Sequence, residues 1–168
     1  MSLPRRVVTG HDSEGRSVVL EDGSAPRSHS IPGATFHELW NTGETPAPLR
    51  AIETREPTDR PLVTPPSAGG TIVRIVDLVP GSLSPLHRTE TVDYGIVLAG
   101  SVVLVLDDGS ETALAAGDVV VQRGTSHAWA NPGEDTARMA FVLVDGRFGE
   151  ELRTLLGDTH LFDRALDA

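Results

Sequence analysis

From Thr71 onward the chain repeats one pattern: a short β-branched run, a glycine turn, then the next run. Residues 71–79 stop at Pro80-Gly81, 94–98 at Ala99-Gly100, 101–106 at Asp107-Asp108-Gly109, 111–114 at Ala116-Gly117, 118–122 at Arg123-Gly124, and 137–144 at Asp145-Gly146. Strands returning every ~8–12 residues with glycine turns between them predict an all-β barrel or sandwich. Only residues 149–156 carry helical spacing, with Phe148, Leu152, Leu155 and Leu156 on one face, so a short C-terminal helix is expected.

The first part is more loosely patterned. Strand-like pieces at 5–9, 17–21, 35–40 and 49–53 are separated by Gly, Pro and Ser, and Thr64-Pro-Pro-Ser-Ala-Gly-Gly70 is a connection that cannot be helical. Two-strand pieces cannot bury a core alone. One domain over 1–168 is therefore expected: a strand-bearing extension at 1–68, a barrel core at 69–147 and a helical tail at 148–168.

The 168 residues suffice for one core, and no apolar run approaches the ~18 residues of a membrane span. With no secretion-type apolar segment near Met1, the expected compartment is the cytoplasm. The absence of cysteine excludes disulfides, thiolate metal sites and cysteine nucleophiles. All 14 basic residues are Arg, so a Schiff-base lysine is excluded as well. The net charge of −10 repels phosphate backbones, which argues against nucleic acid as a partner.

Two histidines stand inside the well-patterned region, each beside a turn. The first lies in Gly81-Ser-Leu-Ser-Pro-Leu-His87-Arg-Thr89-Glu90-Thr-Val-Asp93-Tyr94, the second in Gly117-Asp-Val-Val-Val-Gln-Arg-Gly124-Thr-Ser-His127-Ala-Trp129-Ala-Asn131. In a strand, alternate residues share a face, which groups His87, Thr89 and Asp93, and separately His127 and Trp129. If the two segments are neighbours in a barrel, both imidazoles and the carboxylate converge inside it.

These stretches resemble the paired motifs of the cupin superfamily: Gly81, His87, Asp93 and Gly100 fall on the first spacing. Gly117, Gly124, His127 and Asn131 fall on the second, one residue shorter and with Gln122 in place of Pro. The resemblance implies a double-stranded β-helix, or jelly-roll barrel, and a divalent metal (Fe, Zn or Mn) with no organic cofactor. Of the family's three His and one Glu, this chain keeps His87 and His127, has Thr89 for the middle His, and offers Asp93 for Glu. The implied metal ligands are thus His87, Asp93 and His127, with Glu90 in reserve.

A catalytic set of His87, Asp93, His127 and Tyr94 is expected, with Trp129, Arg74 and Arg138 as substrate-binding candidates. The expected activity is that of a lyase (dehydratase or decarboxylase) on an oxygenated, aromatic or polyketide-like carbonyl compound, by metal-assisted chemistry or, in a barrel that has lost its metal, by acid–base chemistry of His87, Asp93 and His127. The alternatives are an Fe(II) dioxygenase or a barrel that binds a small molecule or metal without turnover. Small cupins of this appearance accompany secondary-metabolite or aromatic-catabolic enzymes. Cupins commonly dimerise through N-terminal strands, so a homodimer is expected.

Overall fold

The computed structural model describes residues 1–52, 55–163 and 166. The chain runs β1 (Arg5–His11), β2 (Ser17–Ser24), β3 (Arg27–Ile31), β4 (Ala34–Thr42), β5 (Thr71–Leu78), β6 (Thr91–Ala99) and β7 (Ser101–Leu106). It continues with β8 (Glu111–Ala115), β9 (Val119–Arg123), β10 (His127–Ala130), β11 (Ala137–Asp145) and α1 (Glu150–Leu156). Every strand expected from 71 onward is present to within a few residues at its ends. Residues 49–52 form no strand, and Glu53 of that expected piece lies outside the described residues. Among the described residues no helix is long and apolar enough to cross a membrane.

Two sheets make the barrel: a six-stranded antiparallel sheet in the order β3-β4-β5-β11-β6-β9, and a three-stranded sheet in the order β10-β7-β8. β1 and β2 form a separate hairpin. It docks through Arg6, which bonds Glu56 at 2.8 Å, pairs with Glu21, and lies over the Trp40 ring at 5.8 Å. β3 and β4 thus extend the barrel sheet itself.

Register decides what the barrel contains, because a period-2 strand sends alternate residues inward. Glu38, Arg74, Phe141, Gly95 and Val120 form one inward row across β4-β5-β11-β6-β9; Ile72, Leu143, Asp93 and Gln122 form the row beside it. Farther along, Ala34, Val76, Leu78, Val97, Val102, Ala137 and Met139 pack with Trp129 into an apolar core. Burial of each larger side chain there contributes roughly 1.5–3 kcal/mol. One end of the barrel is therefore apolar and the other polar.

The expected C-terminal helix is present as α1, but none of its residues is buried, and Leu155 is exposed. Phe148, just before it, reaches the barrel instead. A Cβ on Gly124 would stand 2.4 Å from the Phe148 ring, and Gly124 has φ +64°, so this turn excludes a side chain for two reasons.

Candidate functional site

At the polar end a cavity of about 80 Å³ is lined by Arg74, His87, Thr89, Asp93, Gln122, His127 and Trp129, with Thr64, Phe141 and Leu143 completing the wall. A larger cleft, about 710 Å³, lies between the β1–β2 hairpin and the 43–57 connection. No histidine is among its described lining residues.

His127 begins β10, whereas His87 sits in the loop before β6; the two join as an isolated antiparallel bridge, with N–H to O=C distances of 2.9 Å both ways. Their ring centroids are 4.2 Å apart. Each ring is anchored identically. His87 Nδ1–H donates to the Pro85 carbonyl at 2.9 Å, and His127 Nδ1–H donates to the Thr125 carbonyl at 2.9 Å. A carbonyl can only accept, so Nδ1 carries a proton in both rings, and the neutral form of each is the tautomer with its lone pair on Nε2. Phe162 packs against His87 at 5.4 Å, and Trp129 stands edge-on between His127 (6.1 Å) and Phe141 (5.6 Å).

Burial then separates the acid from the base. It pushes the Asp93 carboxyl up to about 6, against the smaller downward pulls of the Thr91 hydroxyl and the nearby Arg74 charge. It pushes the His127 imidazole down to about 4, with the positive form of His87 also opposing a second charge and the bond to Thr125 O acting the other way. Thr89 and Thr91 share a hydrogen bond of 2.7 Å beneath this pair.

Arg74 lies directly opposite Glu38 on the neighbouring strand and bonds it at 3.0 Å; Arg60 holds the other Glu38 oxygen at 3.0 Å, and Arg74 also donates to Val63 O at 2.6 Å. Burial lowers the Arg74 pKa, and the Glu38 carboxylate partly restores it. The guanidinium is thus a fixed, paired positive charge behind Asp93.

Several expected residues are placed elsewhere. Tyr94 follows Asp93 on β6, so it takes the opposite face and is 42% exposed, next to Val121 of β9. Arg138 faces outward and bonds both oxygens of Asp77 at 2.6 and 2.7 Å, where His37 also meets Asp77 at 3.3 Å. Glu90 turns away to accept from the Phe148 N–H (2.6 Å) and from Arg153 (2.9 Å). Asn131 accepts from Gly133 N–H at 3.0 Å and donates to Leu78 O, fastening the turn after β10.

The expected metal set, His87, Asp93 and His127, lines this same cavity. Two imidazoles with Nδ1–H anchored and Nε2 bare match metal-binding histidines. Yet the described residues form no group of three His, Asp or Glu able to hold an ion, so His87, Asp93 and His127 are not assembled as ligands. Asp is one methylene shorter than the motif's Glu, and the Thr91 hydroxyl bonds its carboxylate. Thr89 supplies a hydroxyl, a poor ligand, where the motif has imidazole. Two imidazoles and one carboxylate are therefore one strong donor fewer than the family's three His and one Glu.

Gln122 is the cavity residue the sequence did not single out as functional. Its signal was available: in β9 it shares parity with Val120, and it stands opposite Asp93.

Residues 74–144 match the family model described as "Cupin domain". The chain is 40% identical over 148 residues to the "Cupin-domain-containing oxidoreductase fogC" of Aspergillus ruber, covering 83% of this chain and 71% of that protein. It is 39% identical over 163 residues to "Phomopsin biosynthesis cluster protein C'" of Diaporthe leptostromiformis, covering 94% of this chain and 86% of that protein. Among solved structures, the Schizosaccharomyces pombe Cnp3 cupin domain aligns over 93% of this chain and 96% of that one, with TM-score 0.51 and 11% identity, a likeness of fold alone.

Proposed function

Because this chain belongs to the cupin family, whose barrel it builds around an internal polar cavity, we propose that it is an enzyme acting on a small carbonyl compound by proton transfer. One observation carries the reading: a carboxyl held near pKa 6 shares a cavity with two imidazoles, each anchored through Nδ1–H to a backbone carbonyl. Near neutral pH Asp93 is mostly ionised and basic enough to remove a proton beside a carbonyl, while His127 stays uncharged. Pairs of titratable groups driven apart by burial cluster at functional sites.

In the step proposed, Asp93 takes the α-proton and the C–H electron pair moves into the carbonyl, giving an enolate in the field of Arg74. The enolate then expels a β-hydroxyl, which leaves as water with the proton from Asp93. Atoms and charge balance, and the reaction is a dehydration, hence a lyase. His87 and His127 accept hydrogen bonds from substrate hydroxyls and hold them in place; Trp129 gives a flat wall for an unsaturated substrate.

A second reading, oxidation or reduction at the same carbonyl, draws on relatives whose names call them oxidoreductases. Two relatives carry the names of biosynthesis cluster proteins, which supports a small-molecule substrate.

The test uses 4-hydroxy-2-butanone in D₂O, followed by proton NMR. Wild type should wash out the α-protons, and Asp93→Asn should slow this by roughly 10²–10⁴-fold. Equal rates in both proteins would remove the reading.

A further inference from the structure

Three polar atoms of the cavity residues are buried without a hydrogen-bond partner among the described residues: Asp93 Oδ1, Gln122 Nε2 and Arg74 Nε. Proteins rarely leave such groups unpaired, and a cluster of them marks a place where a partner arrives from outside. Asp93 and Gln122 are 6% and 4% exposed and face each other in the β6–β9 register, both inward. An acceptor and a donor so placed can bond each other across the sheet. Here neither Asp93 Oδ1 nor Gln122 Nε2 does.

We propose that Asp93 and Gln122 act together to recognise a vicinal hydroxy-carbonyl unit, as in an α-hydroxy ketone or its enediol form. The carbonyl oxygen accepts from Gln122 Nε2–H, and the adjacent hydroxyl donates to Asp93 Oδ1. Two of the three bare atoms, Asp93 Oδ1 and Gln122 Nε2, are satisfied at once by neighbouring atoms of one ligand, as their adjacency in register allows. The cavity, about 80 Å³, is small, and suits one end of a small molecule. A ligand with the carbonyl alone leaves Asp93 unpaired, and one with the hydroxyl alone leaves Gln122 unpaired. Sites built this way discriminate strongly against the analogue lacking the group. The proposal rests on the proton-transfer reading of the same cavity and names the substrate class that reading leaves open. It also gives a role to Gln122, which stands where the resembled motif has Pro.

The experiment is an NMR titration of ¹⁵N-labelled protein with three probes: hydroxyacetone, acetone and 1-propanol. Hydroxyacetone should bind roughly tenfold or more tightly than either of the others and should shift the Gln122 side-chain amide. Gln122→Met, close in volume and without a donor, should bring the three affinities to within about twofold. If that variant misfolds, the wild-type amide decides: a shift with hydroxyacetone and none with acetone supports the assignment. Equal binding of the three probes, no binding of any, or a preference that survives Gln122→Met in a folded protein overturns it. Deuterium uptake at the α-carbon of hydroxyacetone, read in the same tubes, separates the two claims. Uptake without a hydroxyl preference removes the recognition and keeps the proton transfer; preference without uptake does the reverse.

Discussion

Asp93 and His127 should leave opposite marks on stability as pH changes, and removing either should unmask the other. For Asp93 the folded value, about 6, lies above the ordinary 3.8. The native state then binds more protons than the unfolded chain between those values, so stability falls as pH rises from about 4 to 6. At about 1.4 kcal/mol per unit this is roughly 3 kcal/mol. For His127 the folded value, about 4, lies below 6.5. The unfolded chain binds the extra proton there, so stability rises by roughly 3 kcal/mol between pH 4 and 6.5. In the wild type the two nearly cancel. Neither group is among the causes of the other's shift, so each should keep its value when the other is replaced. Urea unfolding of wild type, Asp93→Asn and His127→Gln, followed by circular dichroism at several pH values and constant ionic strength, reads the difference from wild type directly. That difference should climb with pH by roughly 3 kcal/mol for Asp93→Asn and drop by a similar amount for His127→Gln. Flat differences, or slopes of the same sign, would refute the burial argument for this pair.

Other consequences are as direct. Thr89→His adds a third imidazole to the cavity wall and should raise Co(II) affinity by about tenfold or more, seen as new visible absorption; an unchanged titration would contradict the ligand count. Glu38→Gln leaves the buried Arg74 charge unpaired and should cost about 3–5 kcal/mol in urea unfolding, whereas a loss under 1 kcal/mol would show the pair is dispensable. We propose a homodimer, to which the exposed Tyr94, Leu98, Val119 and Val121 offer an apolar outer face; light scattering should give twice the 17.8 kDa of one chain, and a monomer would contradict this.

Most of the barrel was legible because its signals are local. Glycine turns and β-branched runs marked the strands from Thr71 on, and strand parity grouped His127 with Trp129; His87, in the loop before β6, reaches the same cavity through its bridge to His127. Parity could also have removed Tyr94, since adjacent strand residues cannot share a face with Asp93. Arg138 and Glu90 were less readable, because their partners, Asp77 and Arg153, lie 61 and 63 residues away in sequence. The pairing of Arg74 with Glu38 depends on β4 joining the barrel beside β5, and β3 carries too little apolar alternation to announce itself. Reading His87, Asp93 and His127 as metal ligands counted donor types and spacing; whether Asp93 reaches depends on one methylene and on Thr91, which are visible only in three dimensions.

The most direct measurement is a long-range ¹H–¹⁵N NMR titration of the imidazoles from pH 3.5 to 7.5. His87 and His127 should both appear as the Nδ1–H tautomer with bare Nε2, and His127 should protonate only near pH 4. An Nε2–H tautomer in either ring, or a His127 midpoint near 6.5, would contradict the account.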